Sequence, residues 1–333
     1  MKRFPARPAL AAGALAVLLA AAGCGGSDAD ASGGGTVTIR VPDPGNSGVL
    51  AAGKKDGSLD KALSAVHAKV KWTGSTGPFA PAAQELNAGE LDFAQGSITS
   101  AIAALAQKPG FKLFAQIAPD KIGEGILVRK GSPIRTPRDL VGKSIAVNKG
   151  GTAEYLLLKA LAASGIKPDQ VKRVYLNPAQ TAPVFNSGKV DAWAVWATYS
   201  LPEMAATGAH FLVNGGQIGS QNYSVWAVRT KLADAHPEVV RAFYQFLHDR
   251  GQDQIKNPGG YVNVFTKAGP QAVSGAAEQL TVRNLAQGAT AEPIGAPDLA
   301  GFASVAQFFA DQKITPVKVD VKPYVVTLPG SGT

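Results

Sequence analysis

The sequence has 333 residues, with 33 Lys and Arg against 24 Asp and Glu, and a formal net charge of +9 at pH 7. The basic residues are scattered along the chain and form no dense cluster, which argues against nucleic-acid binding. The net positive charge agrees with a small anionic solute. The single cysteine, Cys24, excludes an internal disulfide. The four histidines have no metal-ligand spacing, so neither a metal site nor a cofactor is expected.

The first 35 residues have the pattern of an export signal followed by a tether. Lys2, Arg3 and Arg7 precede an apolar stretch over residues 9–22, which is too short to cross a bilayer. The sequence AAGC at 21–24 resembles a bacterial lipobox, with Ala21 in the place of the usual Leu. We therefore predict a signal peptide over 1–23, lipidation of Cys24 and a flexible Gly/Ser/Asp-rich tether over 24–35. The alternative is an ordinary signal peptide that contains a cysteine.

From Thr36 onward, short β-like runs alternate with helical ones. The patterns predict strands at 36–41, 66–72, 91–94, 111–116, 126–128, 145–148, 171–176 and 191–196, and helices at 50–63, 78–88, 98–106, 152–163 and 179–187. This alternation indicates an α/β fold and favours parallel sheets covered by helices on both faces. A body of this length suits two lobes.

Small and polar residues follow several of the predicted strands. They occur after residues 41, 72, 94 and 147, in the segments 45–47 (GNS), 73–77 (TGSTG), 95–97 (QGS) and 148–152 (NKGGT). Sites in such sheets lie at the carboxyl ends of strands, where helix N-termini offer free N–H groups to oxyanions. The four loops together predict an anion site, although a single Gly-rich loop of this kind is more often a simple turn.

Five segments between residues 39 and 229 resemble, in order, the aliphatic sulfonate, taurine and nitrate-binding proteins of ABC importers. They are 85–93 (ELNAGELDF), 131–143 (GSPIRTPRDLVGK), 145–161 (IAVNKGGTAEYLLLKAL), 175–179 (YLNPA) and 185–196 (FNSGKVDAWAVW). The last resembles the family pattern F-x-x-G-x-V-D-A-W-A-x-W, which is specific, whereas the Gly-rich turns are not.

The resemblance implies a type II periplasmic-binding-protein fold, in which two α/β lobes, each a mixed sheet flanked by helices, are joined by two hinge crossovers. Lobe I would comprise residues 36–121 and 227–326, lobe II residues 122–226, and a tail residues 327–333. The implied function is that of a monomeric extracytoplasmic solute-binding lipoprotein, anchored through Cys24, that serves an ABC permease and ATPase. Its solute would be a small organic anion such as an aliphatic sulfonate or taurine, bound in the interlobe cleft without a cofactor.

The resemblance also implies a set of ligand-binding residues. These are Asn46, Ser75, Thr76, Gln95, Gly96, Ser97, Gly151, Thr152, Trp196, Tyr199 and Asn222. Two positions depart from the family: its W-D-P is WAT at 196–198, and its S-T-G-D is QGSI at 95–98. Both changes remove an acidic residue beside the cleft and therefore bear on which solute is bound. Trp193 and Trp196 fall on opposite faces of a strand, so one of them is expected in the core.

Other functions are open at this point. Nitrate, bicarbonate or a thiamine-precursor-like heterocycle are alternative solutes, and a lipid-anchored sensor could use the same two-lobed fold without a transporter. An enzyme on this scaffold, such as a desulfinase or a thiamine-pyrimidine synthase, would need a reactive Cys or His. The chain has no cysteine beyond Cys24 and no clustered histidines, which argues against an enzyme.

Overall fold

A computed structural model describes residues 35–74, 77–107 and 109–329. Contacts divide the chain into Met1–Gly35 and Thr36–Thr333, and every helix and strand below belongs to the second unit. The expected signal peptide, Cys24 and the tether up to residue 34 lie outside the described residues, so the lipid anchor stays a prediction. None of the helices in the described ranges combines the length and apolar character needed to cross a membrane.

The described residues form eleven strands and eleven α-helices. The strands are β1 (Val37–Pro42), β2 (Ala68–Thr73), β3 (Phe93–Ser97), β4 (Phe111–Ile117), β5 (Gly125–Val128), β6 (Ser144–Val147), β7 (Lys172–Tyr175), β8 (Ala192–Val195), β9 (His210–Asn214), β10 (Ser224–Arg229) and β11 (Glu292–Pro293). The helices are α1 (Val49–Asp56), α2 (Ser58–Ser64), α3 (Phe79–Ala88), α4 (Ile98–Leu105), α5 (Thr152–Ala163), α6 (Thr181–Asn186), α7 (Ala197–Thr207), α8 (Thr230–Ala235), α9 (Pro237–Lys256), α10 (Gly275–Ala286) and α11 (Ala296–Asp311).

The strands form three sheets. β1 and β2 make a parallel pair, and a five-stranded mixed sheet has the order β7-β6-β8-β5-β9. The four-stranded sheet has the order β11-β4-β10-β3, and all its pairs are antiparallel. The α/β class is confirmed, and the parallel pairing that the strand–helix alternation favours occurs in β1-β2 and within the mixed five-stranded sheet. The four-stranded sheet is antiparallel because β10 follows the five-stranded sheet in the chain, returns between β3 and β4, and runs opposite to both.

Most predicted elements differ from the observed ones by one or two residues at their ends, and α5 matches its predicted bounds. The predicted helix over 50–63 is instead two helices, α1 and α2. Gly57 separates them with a φ of 73°, a left-handed conformation that only glycine adopts without strain. The predicted helix over 179–187 begins with a 3₁₀ turn at Pro178–Gln180 before α6 starts.

Three apolar clusters hold the sheets and helices together. One lies under α2, α8 and α9 on the four-stranded sheet, where the rings of Phe93 and Phe243 stack 4.1 Å apart. A second lies behind the five-stranded sheet and contains Phe185 and Trp193. The third contains residues of both sheets together with α3, α4, α5 and α11. Because both sheets contribute to this third cluster, α4 and α5 are packed within one continuous core.

Two neighbouring segments connect the four-stranded and five-stranded sheets. The first crossover, residues 118–124, runs from β4 to β5, and the return crossover, residues 215–223, runs from β9 to β10. The N–H of Gly215 donates to the carbonyl of Glu124 at 2.8 Å. A Cβ atom on Gly215 would lie 2.7 Å from the carbonyl oxygen of Asp120, so the close approach of the two crossovers requires glycine there.

Asp92, immediately before β3, joins three strands through one buried carboxylate. Its side chain is 0% exposed and accepts hydrogen bonds from the guanidinium groups of Arg40 at 2.9 Å and Arg229 at 2.6 Å. It also accepts the backbone N–H of Arg40 at 2.8 Å. The carboxylate therefore links β1, β3 and β10 at the edge of the sheets opposite to the carboxyl end of β3.

The substitution Asp92→Asn tests this link, because it removes the charge at nearly constant size. We expect the free energy of unfolding to fall by about 3 kcal/mol, since two charged donors lose a buried ionic acceptor. Urea-induced unfolding measures this. The control is Asp234→Asn, whose carboxylate pairs with Lys112 but has a side chain 60% exposed, and which should cost less than about 1 kcal/mol. Equal losses in the two variants would contradict the role of Asp92.

Candidate functional site

The first turns of α4 and α5 meet at the carboxyl ends of β3 and β6. Ser97 is the N-cap of α4, and its hydroxyl accepts the N–H of Ser100 at 3.2 Å. Gly151 is the N-cap of α5. A Cβ atom on Gly151 would lie 2.1 Å from Nδ2 of Asn148 and 3.0 Å from Oγ of Ser100, so the two helix ends are in contact. Helix N-termini carry N–H groups without intrahelical partners and the positive ends of their dipoles, an arrangement that favours an anion.

The start of α5 is fixed by two side-chain hydrogen bonds. Oδ1 of Asn148 accepts the N–H of Ala153 at 2.9 Å. Thr152, the first residue of the helix, is buried, and its hydroxyl oxygen accepts Nδ2 of Asn222 at 3.2 Å. Because Thr152 uses its oxygen as an acceptor there, its own O–H remains a donor. The helix thus presents N–H and O–H donors that are held in place.

Asn222 joins the surrounding elements. Its side chain is 6% exposed and its Oδ1 accepts the hydroxyl of Thr99, in the first turn of α4, at 2.9 Å. Its Nδ2 donates to Oε2 of Glu124 at 2.8 Å and to the Thr152 hydroxyl. The expected ligand residue Asn222 is therefore central to the site, but its amide is bonded to the protein.

Glu124 is a buried carboxyl group whose hydrogen-bond donors are all neutral. It is 3% exposed, and its Oε1 accepts the hydroxyl of Ser220 at 2.7 Å while Oε2 accepts Nδ2 of Asn222. Burial raises the pKa of Glu124 to about 8; the hydrogen bonds from Ser220 and Asn222 oppose the rise, and the nearby charge of Asp120 adds to it. The sequence interpretation did not include this residue.

A second buried carboxylate, Glu154, lies in the first turn of α5 and has a different environment. It accepts hydrogen bonds from Nη1 of Arg173 at 2.8 Å, from the hydroxyl of Tyr175 at 2.7 Å and from the N–H of Gly150 at 2.7 Å. The adjacent Arg173 balances the Glu154 charge. This carboxylate is therefore a structural element of the α5 terminus, unlike Glu124, which pairs with no cation among the residues that the structure describes.

Asn46, expected to bind the solute, anchors another segment of the chain. Its Nδ2 donates to the carbonyls of Thr266 at 2.8 Å and Gln271 at 3.1 Å, and its Oδ1 accepts the N–H groups of Phe265 and Thr266. Little of its hydrogen-bonding capacity remains for a solute. An open cavity of about 630 Å³ lies at this position, lined by Asp43, Gly45, Asn46, Lys54, Gly74, Phe265 and Gln271. Ser75 and Thr76, the next residues after Gly74, lie outside the described residues.

The segment 95–97 ends β3 and starts α4. Gln95 is exposed at the sheet edge, whereas Gly96 is required by packing. A Cβ atom on Gly96 would lie 2.3 Å from the ring of Phe79, which is itself buried. The glycine at 96 thus lets α3 approach β3 closely and places Ser97 at the start of α4.

The aromatic residues after β8 occupy two environments. Trp193 is buried in the cluster with Phe185, 5.9 Å between ring centroids. Trp196 is only partly buried, caps α7, and makes an edge-to-face contact with Tyr199 at 5.2 Å. Burial also raises the pKa of Tyr199. Trp193 is therefore a core residue, and Trp196 and Tyr199 form a partly exposed pair at the carboxyl end of β8.

The structure brings Ser97, Gly151, Thr152 and Asn222 together, while Asn46 lies by the open cavity. Residues of this cluster that the sequence interpretation missed are Thr99, Ser100, Glu124 and Ser220, whereas Asn148 belongs to the predicted loop 148–152. Two signals could have found some of them: Ser100 stands three residues after the cap Ser97, and Glu124 is a lone acid between two glycines. In the described ranges no group of three or more His, Cys, Asp or Glu side chains could hold a metal ion.

Residues 76–260, more than half of the chain, match the family model described as NMT1/THI5 like. The chain belongs to this family. A relative in Bacillus subtilis (strain 168), named for the binding of aliphatic sulfonates, is 34% identical over 235 residues, which cover 70% of each protein. The taurine-binding periplasmic protein of Escherichia coli (strain K12) is 38% identical over 167 residues, 49% of this chain and 50% of that protein.

Among solved structures, the alkanesulfonate-binding protein SsuA from Xanthomonas axonopodis pv. citri, bound to MOPS, is similar at a TM-score of 0.77 and 25% identity. The similarity covers 88% of this chain and 99% of SsuA. It confirms the predicted family resemblance and the type II periplasmic-binding-protein fold with mixed sheets. These relatives are binding proteins, whereas the desulfurization enzyme DSZB has a similar fold, at a TM-score of 0.61 and 18% identity over 87% of this chain and 96% of DSZB.

The substitution Gly96→Ala tests the packing that positions the start of α4. We expect it to reduce the free energy of unfolding by about 2 kcal/mol, because the new methyl group overlaps the buried ring of Phe79. Urea-induced unfolding is again the measurement. Gly259→Ala is the matched control, since a Cβ atom there meets nothing within 4 Å. A Gly96→Ala variant as stable as that control would show that α3 and β3 can separate freely.

Proposed function

We propose that this chain is the extracytoplasmic solute-binding component of an ABC importer and that it captures an aliphatic sulfonate or taurine. The observation that carries this proposal is the contact between the first turns of α4 and α5, at Ser100 and Gly151. A sulfonate is a permanent anion with three acceptor oxygens, so it needs several N–H and O–H donors and no group that removes a proton. Two adjacent helix N-termini with hydroxyl side chains meet that need.

The donors that we assign to the anion are the N–H groups of Gly151 and Thr152 and the hydroxyl of Thr152. The Ser97 hydroxyl lies beside them, but it donates within the first turn of α4, to Thr99 at 2.8 Å or Ser100 at 3.1 Å. The organic part of the solute would contact Trp196 and Tyr199. Further residues proposed to line the cleft from the family resemblance are Ser75, Thr76, Gln95 and Gly96, with Asn46 and Asn222 holding its walls in place.

Binding at this position would also favour closure of the two proposed lobes. With lobe I at residues 36–121 and 227–326 and lobe II at 122–226, α4 belongs to lobe I and α5 to lobe II. An anion between their first turns would contact both lobes at once. Such a ligand would stabilise the closed arrangement of the lobes relative to the open one. A permease could then distinguish the loaded protein from the empty one by this arrangement.

The expected result for solute binding is that ethanesulfonate and taurine raise the melting temperature of the full chain, since a ligand bound only to the folded state stabilises it by mass action. Thr152→Val should weaken ethanesulfonate binding about tenfold, because it removes one hydroxyl donor to a charged ligand at nearly constant size. Thermal-shift assays and calorimetric titration measure the two effects.

Thr207→Val, at the far end of α7, is the matched control and should bind as the wild type does. Nitrate, sulfate and a pyrimidine heterocycle complete the ligand panel. Stabilisation by the heterocycle without any by a sulfonate would overturn the proposed solute class, and unchanged binding in Thr152→Val would remove the α5 terminus from the site.

We further propose that Cys24 carries the lipid that anchors the protein outside the cytoplasm, where it would act as a monomer with a permease and an ATPase. The lipobox-like AAGC at 21–24 supports this, as does the periplasmic location in the name of the E. coli taurine-binding relative.

Cys24→Ser should release the exported protein from the membrane fraction into the soluble extracytoplasmic fraction, because the thioether-linked lipid can no longer form. Fractionation followed by immunoblotting measures the distribution. Ser27→Ala, in the same segment, serves as the control and should remain with membranes. Membrane retention of Cys24→Ser would contradict the lipid anchor.

A further inference from the structure

The carboxyl group of Glu124 connects the two crossovers. Glu124 lies on the first crossover, and its two hydrogen-bond partners, Ser220 and Asn222, lie on the return crossover. None of the ion pairs formed within residues 35–74, 77–107 and 109–329 includes Glu124. A charge on this buried carboxylate would therefore be stabilised only by a hydroxyl and an amide.

This carboxyl group also lies close to the proposed anion position. One nitrogen atom, Nδ2 of Asn222, donates at 2.8 Å to Oε2 of Glu124 and at 3.2 Å to the hydroxyl of Thr152. The Glu124 carboxyl and the start of α5 are thus separated by a single bridging atom. Two negative charges at such a separation, both shielded from water, repel each other strongly.

We propose that Glu124 takes up a proton when an anion binds at the first turns of α4 and α5, and so acts as a proton-linked positioning residue of the binding site. This inference rests on the proposed function, since it assumes that the ligand is an anion held at Thr152.

The neutral form of Glu124 fits its surroundings. A protonated Oε1 can donate to the hydroxyl oxygen of Ser220, while Oε2 continues to accept Nδ2 of Asn222. Protonation would therefore keep Asn222 in the orientation in which it bonds Thr99 and Thr152. The site would lose a competing charge without losing its framework.

Other titratable groups around Glu124 are consistent with this assignment. Asp120, on the same crossover, raises the pKa of Glu124, and burial raises the pKa of Tyr155, on α5, to about 12, so that its phenol stays neutral. The remaining titratable groups on the adjoining segments are the exposed Lys121, Glu154 with its partner Arg173, Lys159 of α5, Tyr199 and Glu203 of α7, and Tyr223 of the return crossover. The return crossover and α4 themselves contain no Asp, Glu, Lys, Arg or His.

The test is the affinity of the full chain for ethanesulfonate, a ligand with no titrating group of its own, measured by calorimetry at about pH 6 and about pH 9.5. Wild-type protein should bind about tenfold more tightly at the lower pH, because ligand and proton each favour binding of the other. Titrations near pH 8.5 in buffers of different ionisation enthalpy should show net proton uptake on binding.

Glu124→Gln keeps the size of the side chain and mimics its neutral form. This variant should bind at both pH values as tightly as wild type does at the lower one, without proton uptake. Glu90→Gln, an exposed glutamate in the turn before β3, is the matched control and should keep the wild-type pH dependence.

A measurement without ligand tests Glu124 independently of any sulfonate. The folded state holds the Glu124 proton more tightly than the unfolded chain does, since its pKa is raised from 4.5 to about 8. The free energy of unfolding should therefore fall as the pH rises between those values, and Glu124→Gln should lack this fall. In carboxyl ¹³C spectra of the wild type, the signal absent from the variant should titrate near pH 8 and shift to higher pH with ethanesulfonate.

The outcomes separate this inference from the proposed function. Tight sulfonate binding that is independent of pH, or a Glu124 carboxyl signal that does not shift with ligand, overturns the proton coupling and leaves the proposed function standing. Absence of sulfonate binding in every protein at both pH values overturns the proposed function, and the coupling with it. The pH dependence of wild-type binding and the proton uptake of the wild type decide the matter even if Glu124→Gln does not fold.

Discussion

The buried amide of Asn222 is the contact on which the geometry of the candidate site depends. It comes from the return crossover and bonds Thr99 of α4, Thr152 of α5 and Glu124 of the first crossover. These partners belong to helices on the two different sheets and to the segment that connects them. A side chain at 222 without both a donor and an acceptor would leave buried polar groups unsatisfied, at a cost larger than the loss of one bond. The alignment of the two helix N-termini is therefore coupled to the arrangement of both crossovers.

Two buried carboxylates at opposite ends of the four-stranded sheet serve different purposes. Asp92 has two guanidinium partners, so its charge is compensated and the bonds hold β1, β3 and β10 in register. Glu124 has only neutral donors, and burial raises its pKa to about 8. A carboxylate of the first kind contributes to architecture, because its bonds to two guanidinium groups hold three strands together. One of the second kind can exchange its proton when a charge arrives nearby.

Local patterns in the sequence predict much of the fold. The helix at α5 follows from its apolar periodicity and the Gly-Gly-Thr that precedes it, and the family resemblance predicts a two-lobed arrangement. The antiparallel insertion of β10 between β3 and β4 could not be predicted from local patterns, because it is set by pairing between segments more than a hundred residues apart. The same holds at the site. Ser97 and Thr152 stand at recognisable helix starts, whereas the bonds of Asn46 to residues 266 and 271, and of Glu124 to Asn222, depend on tertiary contacts.

The position of β10 also bears on the order in which the chain folds. All strands of the five-stranded sheet lie within residues 125–214, so that sheet can form from one continuous stretch of chain. The four-stranded sheet is incomplete until β10 pairs with β3 and β4, and this pairing closes a loop of about a hundred residues. Long-range pairing of this kind slows folding, since the entropy of loop closure is lost before the contacts form. For a protein that we propose to be exported, late closure leaves more time for the chain to cross a membrane unfolded. The strand β10, which follows Asn222, would thus influence when the protein becomes compact, as well as where the N-termini of α4 and α5 meet.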